Sequence, residues 1–399
     1  MKILVVTSVF PNSKQPGLGV FVKERMFRVA QHCDMKVVAP VPWFPFINRL
    51  KKNYRPSVPY REVQEGIEVY HPRFFNVPRY FKSLDGLFFF LSSCLAIKKI
   101  RKDFPFEIID SHFVYPDGMG AALLGRWFRV PVTITIRGTI RKYASKRLIR
   151  AQIRQVLAKV DRVFTVCEDL KQAALDFYPC ADKTVVVPNG VDPGKFYLVD
   201  KQSARLALHL GLDRKILISV GGLTERKGFH RIIEVLPQLK TRYPDILLII
   251  VGSGSVEGNN DSYLRRLVAE LQLADHVLFA GAQPHAQLYR WLNAADVFCL
   301  ATSNEGWANV FLEAMACGLP VVTTDVGGNK EVVCSAELGT LVPCHDQAAL
   351  AQALSAALGK QWNTEEIIRY AQHNTWEDRV EVLLKNFASL SGYLPQHGG

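Results

Sequence analysis

Short apolar runs alternate with helical stretches along the whole chain, and the pattern runs through twice. In the first half the strand-like runs are Lys2–Thr7, Lys36–Ala39, Ile108–Ser111, Val132–Ile136, Arg162–Val166 and Thr184–Val187. In the second they are Lys215–Val220, Leu247–Val251, His276–Ala280, Val297–Ala301, Pro320–Thr324 and Gly339–Val342. Helical patterns such as Val20–His32, Gly118–Phe128, His230–Thr241 and Ala286–Ala294 fall between them. Such alternation predicts α/β architecture with parallel, doubly wound sheets. Twelve strands are many for one open sheet, so two domains are expected. The Pro- and Gly-rich segment Pro188–Phe196 marks the hinge. The boundaries are then 1–190, 191–375, and a last helical stretch 376–399 that is a candidate to cross back to the first domain. A cleft between two such domains is the expected ligand site.

The segment SNEGWANVFLEAMACGLPVV, Ser303–Val322, carries the most chemistry. Asn309 begins an apolar helical run that Gly318 and Pro320 stop. Glu305 falls just before that helix, and Glu313 lies about one turn into it. Between them the helix start offers unpaired backbone N–H groups and positive dipole charge. A phosphate fits there, flanked by two carboxylates that accept hydrogen bonds from hydroxyls. Phosphates in the middle and polyols at both ends describe a nucleotide-sugar. Taken separately, the two glutamates are also readable as an exposed cap-region acid and a helix-face acid.

Other segments add to the pattern. In ILISVGGLTERKGFH, Gly221 and Gly222 follow a strand end, and Arg226 and Lys227 precede Gly228, an arrangement that suits a diphosphate. Alone it is equally a solvated basic turn. Gly252 and Gly254 stand at another strand's carboxyl end, where open α/β sheets bind ligands. Gly258 comes one residue too late for a G-x-G-x-x-G fingerprint, which disfavours a dinucleotide-dependent oxidoreductase. Gly17 and Gly19 precede an apparent helix and offer a second phosphate approach or a flexible loop. His112, Asp117, Arg137 and Gly138 follow first-half strands, which predicts them along one rim, facing a sugar or an acceptor.

The charge is uneven. The net charge is +12, yet residues 1–195 hold 32 Lys and Arg against 16 Asp and Glu, and the remainder 17 against 21. Two segments concentrate it. Pro40–Pro56 mixes Trp43, Phe44 and Phe46 with Arg49, Lys51, Lys52 and Arg55. The second carries Arg141, Lys142, Lys146, Arg147, Arg150 and Arg154. Aromatics beside cations suit an anionic membrane surface, with an ordinary solvated face as the alternative. Nucleic acid is electrostatically allowed but lacks a helix-turn-helix, zinc-finger or RNA-binding signature. Leu84–Ile97 is apolar but too short to span a bilayer, which takes about 20 residues. The N-terminal MKILVVTSVFP reads as a first strand rather than a signal peptide. Eight scattered cysteines form no C-x-x-C pair and no zinc spacing, the pattern of reduced thiols in a cytoplasmic protein.

Together these segments resemble the retaining glycosyltransferases of family 4, the "glycosyl transferases group 1" set. The resemblance covers nearly the whole chain: the glycine loop and helix at Gly17–Val29, PNGVD at Pro188–Asp192, VGGLTERKG at Val220–Gly228, VGSG at Val251–Gly254, FAG at Phe279–Gly281, and EGWANVFLEAMACGLPVV from Glu305. It implies the GT-B architecture, two facing Rossmann-like doubly wound domains with an interdomain cleft and the donor held mainly by the second. It also implies no cofactor and no metal, the nucleotide diphosphate sugar being a co-substrate. Carried over, Glu305 binds the donor sugar's hydroxyls and Glu313 those of the ribose. Lys227 neutralises the diphosphate with N–H groups near Asn309 and Val310. Gly17 and Gly19 close on the donor, while Gly252, Gly254 and Gly281 frame the nucleobase. His112, a third catalytic candidate with Glu305 and Lys227, faces the acceptor side with Asp117 and Arg137. The chain departs from the family at two positions. Gly222 stands where many members have Arg, with Arg226 as the candidate substitute. Arg137 stands where many have His.

The leading expectation is a cytoplasmic glycosyltransferase, peripheral on the inner face of the membrane, that moves a hexose-type sugar to a glycan or lipid-linked acceptor with retention in cell-surface polysaccharide biosynthesis. Alternatives are another sugar-nucleotide enzyme such as an epimerase, and a non-catalytic module binding a nucleotide-sugar or polyanion.

Overall fold

A computed structural model describes residues 1–45, 57–255 and 257–392. The chain divides into two units, Met1–Asn189 with Trp376–Gly399, and Gly190–Thr375.

Among the described residues, the strands of the first unit are β1 (Lys2–Val6), β2 (Asp34–Val38), β3 (Val41–Trp43), β4 (Arg61–Gln64), β5 (Ile67–Tyr70), β6 (Arg73–Phe75), β7 (Ile108–His112), β8 (Val132–Ile136), β9 (Arg162–Thr165) and β10 (Thr184–Val186). Eight of them form one sheet in the order β10-β9-β8-β7-β1-β2-β5-β4, and β3 pairs with β6 separately. The central strands β7 and β8 are buried throughout, as strands of a parallel sheet covered on both faces are, even though Asp110, Ser111, His112, Thr133 and Thr135 stand in them. The sheet is not wholly parallel, which corrects the sequence expectation: β4 and β5 pair antiparallel. Their two-residue turn is Glu65-Gly66, both at positive φ (50° and 82°), the conformation that closes a tight hairpin. The edge strand REVQ has a single apolar residue, so no hydrophobic run announces it. β3 and β6 are three-residue strands that the pattern also misses.

The C-terminal helix Trp376–Ser391 belongs to the first unit. Val380, Leu383 and Phe387 enter its core, where Phe387 meets Phe164 edge-on at 5.8 Å between ring centres. Of the basic-aromatic segment, Trp43 ends β3 and Phe44 packs on Phe75, while Phe46, Arg49, Lys51, Lys52 and Arg55 lie outside the described residues.

The second unit follows its pattern closely. Its strands are β11 (Ile216–Val220), β12 (Leu247–Val251), β13 (Val277–Gly281), β14 (Val297–Leu300), β15 (Val321–Thr324) and β16 (Gly339–Val342). All pair in parallel in the order β13-β12-β11-β14-β15-β16. The chain builds outward from β11 to one side, then returns to continue on the other. The reversal falls between β11 and β14, and a doubly wound sheet binds its ligands outside the carboxyl ends of the strands there. Among the described residues no helix is long and apolar enough to cross a membrane. None of the eight cysteines is in a disulfide.

Candidate active site

Two loops leave the strands that flank the reversal. After β11 comes Gly221-Gly222 and then a single tight turn, Glu225–Lys227. After β14 comes the loop that carries Glu305 into the helix Asn309–Ala316. Backbone contacts bind them together. The Arg226 carbonyl accepts from Ser303 N–H at 2.8 Å and from the Thr302 hydroxyl at 3.0 Å. Gly228, at φ 72°, lies so close to the end of β14 that a Cβ there would stand 1.9 Å from the Ala301 carbonyl oxygen. Gly327, at φ 53°, is pressed in the same way against the Glu305 carbonyl oxygen, again 1.9 Å from a would-be Cβ. Both approaches admit only glycine, and they hold the basic turn and the glutamate loop in register.

The side chains converge accordingly. Lys227 Nζ lies 2.6 Å from Glu305 Oε2, and Arg226 Nη1 reaches the same oxygen at 3.2 Å. Arg226 also donates to the Asn304 carbonyl at 3.0 Å and, through Nε, to Glu257 at 2.8 Å. Glu257 was not singled out in the sequence; one acid in a polar loop gives no signal. The Glu305 side chain is 10% exposed, and burial alone would raise its carboxyl, but Lys227 and Arg226 hold it below the ordinary carboxylate range. Burial would likewise lower Arg226, but Glu305 and Glu257 raise it on balance. The result is a largely buried anion gripped by two cations. Arg226 brings a second guanidinium nitrogen to this corner. Gly222 is crowded, since a Cβ there would stand 3.2 Å from Ser255 Cβ.

The helix Asn309–Ala316 buries Phe311, Leu312, Ala314 and Met315, with Phe311 against Phe298 of β14. Its start, where Asn309 and Val310 lie, has no side-chain cap. Glu313 projects on the half-exposed side and meets His285 Nε2 at 3.1 Å. The His285 ring packs edge-on against Phe196, 5.0 Å between centres. Sequence reading missed His285, a lone histidine in a short polar turn. Gly252 and Gly254 lie in the loop after β12, and Gly281 ends β13. Gly252 N–H donates to the Gly281 carbonyl at 2.8 Å, while Leu223 N–H donates to the Ser253 carbonyl at 2.8 Å. The second unit therefore brings Gly222, Arg226, Lys227, Gly252, Gly254, Gly281, Glu305, Asn309, Val310 and Glu313 to the carboxyl ends of adjacent strands.

The first-unit residues are placed otherwise. Gly17 and Gly19 precede the helix Val20–Val29. His112 ends β7 with no exposed surface. Arg137 Nε donates to its Nδ1 at 3.3 Å, and Nε2 lies 3.3 Å from Asp110 Oδ2, an electrostatic contact rather than an aligned hydrogen bond. Burial, only partly offset by Asp110, pushes the imidazole down to about 4, so the ring is neutral at pH 7. Arg137 also donates to Asn189 at 3.2 Å, and burial, with Arg25 beside it, pushes its guanidinium well down. Arg25, unremarked in the sequence because it sits among polar residues of an ordinary helix, is fully buried. It binds the Val187 and Pro188 carbonyls and Asn189, fixing the end of the unit. The expectation of an open rim is thus corrected: His112 has no surface a substrate could touch, and its contact is with Arg137.

Asp117 is also buried, accepting from Ser8 N–H at 2.7 Å, the Ser8 hydroxyl at 2.8 Å and the Thr7 hydroxyl at 3.1 Å. Those bonds hold the turn after β1 rather than meeting solvent, which corrects its acceptor-side assignment. Burial outweighs them and pushes the carboxyl up to about 7, against about 4 in an unfolded chain. The folded state thus holds this proton more tightly. Its contribution to stability is full below about pH 4 and is lost as pH rises through about 7. We expect the wild-type Tm to fall from pH 5 to 8 relative to Asp117→Asn, which keeps a neutral, hydrogen-bonding side chain; parallel Tm profiles would contradict the assignment.

Residues 200–374 match the family model described as glycosyl transferases group 1, and residues 46–195 match that of glycosyltransferase family 4. A D-inositol 3-phosphate glycosyltransferase of Corynebacterium urealyticum is 30% identical over 77% of each chain. The chain belongs to glycosyltransferase family 4. Another relative of this glycosyltransferase is TuaC of Bacillus subtilis, named for teichuronic acid biosynthesis, 28% identical over 95% of this chain and 92% of its own. Among solved structures, sucrose-phosphate synthase of Thermosynechococcus elongatus superposes with a TM-score of 0.81 at 22% identity, covering 99% of this chain and 100% of that one. Anabaena HepE in complex with UDP gives 0.74 at 21% identity, over 98% and 100%. The fold is GT-B, two Rossmann-like α/β units.

Proposed function

We propose that this glycosyltransferase moves a hexose-type sugar from a nucleotide diphosphate sugar to a hydroxyl of a glycan or lipid-linked acceptor, with retention of anomeric configuration, in the cytoplasmic stage of cell-surface polysaccharide synthesis. The reading is carried by one observation: Lys227 and Arg226 converge on Glu305 beside an uncapped helix start, at the reversal of a doubly wound sheet. The names of TuaC and of the UDP-bound HepE support the product class and the donor class respectively.

On this reading the diphosphate takes a place at Lys227 and the start of the helix Asn309–Ala316. The bond from the anomeric carbon to the diphosphate breaks, and its electron pair leaves on the phosphate oxygen. Lys227, Arg226 and backbone N–H groups stabilise that charge, fixed in place before the reaction begins. The acceptor oxygen bonds to the same carbon from the same face, and its proton passes to the departing phosphate. Glu305 orients the sugar through its hydroxyls, and Glu313, set by His285, takes those of the ribose. We assign the acceptor to the first unit, with His112 as a positioning residue for Arg137.

The test is nucleoside diphosphate release from a panel of nucleotide-sugars with glycan and lipid-linked acceptors, with the product linkage read by NMR. Inversion at the anomeric carbon would refute retention, and epimerised donor without acceptor would favour an epimerase. Because protein cations carry the leaving-group charge, we expect transfer to survive excess EDTA within about twofold, whereas a metal-borne diphosphate would show a loss of about a hundredfold or more.

A further inference from the structure

The helix Asp85–Asp103 does not follow the usual division into a buried apolar face and a polar outer one. Its inner face buries Phe89, Ser93, Ala96, Ile97 and Ile100. The opposite side carries Leu84, Leu87, Leu91 and Leu95, exposed by 41, 44, 52 and 71%. At spacings of three and four residues these form one line along the helix, and Lys98 and Lys102 continue it. An apolar outer face of this length on a helix that is not buried calls for a partner.

Its neighbours enlarge the patch. Tyr80 and Phe81, 69 and 67% exposed, precede the helix. Trp127, 65% exposed, lies in the last turn of the adjacent helix Asp117–Phe128 and pairs with Phe90 at 6.3 Å between rings. The Gln152 amide donates to the Ser83 carbonyl at 2.9 Å, which seats the basic helix Arg147–Lys159, with exposed Leu148, beside Leu84. Charge on these three helices is nearly all of one sign. Across the three helices the exposed charged residues are Lys98, Lys99, Lys102, Arg126, Arg147, Arg150, Arg154 and Lys159 against a single acid, Asp103. Beside them, Arg126, Arg129 and Lys159 line a groove of about 550 Å³ together with Met119, Leu123, Val156 and one acid, Asp161.

We propose that this face of the first unit docks on an anionic lipid bilayer, the leucine line and Trp127 entering the headgroup boundary while the lysines and arginines meet lipid phosphates. Leucine and tryptophan side chains ringed by cations, with almost no acid, fit an interface where apolar burial and electrostatic attraction add. The charge decides between partners: a second copy of the chain would set eight cations against eight. The surface gives the lipid-linked acceptor of the proposed reaction a platform, yet its test does not depend on transfer.

The full chain is floated with vesicles of phosphatidylcholine alone and with phosphatidylglycerol added. Binding is expected only to the anionic vesicles and is expected to weaken with salt. Leu91→Glu/Leu95→Glu should reduce it by about tenfold or more. Lys98→Ala/Lys102→Ala should selectively weaken the anionic dependence. Both variants should keep the wild-type Tm and the same thermal shift with nucleoside diphosphates, because that ligand is assigned to the second unit. No flotation of the wild type, equal flotation of the leucine variant, or a wild-type dimer in sedimentation that the leucine variant abolishes would each overturn the proposal.

Discussion

Lys227→Ala lowers sugar transfer by about two to three orders of magnitude, the cost typical of removing one preorganised group from a developing anion. Lys227 ends the turn whose backbone is bonded to the loop after β14, so its ammonium is held where charge would gather on the leaving diphosphate. Its loss should appear chiefly in kcat, with a smaller effect on the intact donor than on the released diphosphate, because only the latter carries the charge that grows as the bond breaks. The fold should survive: Lys227 is paired at a loop and not in the core, and Arg226 stays on Glu305. Steady-state kinetics beside a melting curve reads both. Turnover within a few-fold of wild type would remove Lys227 from the mechanism.

Glu305→Gln acts differently. Its carboxylate accepts from Lys227 and Arg226 at once, and a neutral amide leaves two half-buried cations sharing a weaker acceptor. We expect about a hundredfold loss of transfer and a destabilisation of roughly 1–2 kcal/mol, discounted from a fully buried pair because Arg226 is 35% exposed and keeps Glu257. The two variants separate by ligand. Glu305→Gln should still bind a nucleoside diphosphate and lose the gain that the sugar adds, whereas Lys227→Ala should bind the diphosphate itself less tightly. If both variants weaken the diphosphate equally, the assignment of Glu305 to the sugar fails.

The second unit was the more legible half. Its strands are runs such as ILISV and LLIIV, both followed directly by glycine, so the sheet and this part of the rim could be read directly. Lys227 and Glu305, about 80 positions apart, were expected at one diphosphate from their motifs, but the strand order that sets their loops side by side at the reversal is visible only in the structure. In the first unit, pattern alone went less far. The β4–β5 hairpin is a polar edge, and nothing in REVQ predicts pairing except the Glu-Gly turn. His112 and Asp117 stand at strand and helix ends as expected, yet burial there is decided by Arg25, Arg137, Ser8 and Thr7, which arrive from distant positions. Arg25 itself looks like a surface arginine until its carbonyl partners close over it. The run Leu84–Ile97 was apolar enough to notice and too short to span a bilayer, but sequence could not tell which leucines would face outward. That depended on Phe89 and Ile97 taking the inner face.

The most direct measurement is thermal unfolding of wild type and Lys227→Ala across a series of nucleoside diphosphates. A ligand at a hundred times its Kd adds about 2.7 kcal/mol, a rise in Tm of a few degrees for a unit of this size. The account predicts such a rise for wild type with at least one nucleoside diphosphate, and a much smaller rise for Lys227→Ala at the same concentration. An equal rise in both proteins, or none with any nucleoside diphosphate, would contradict it.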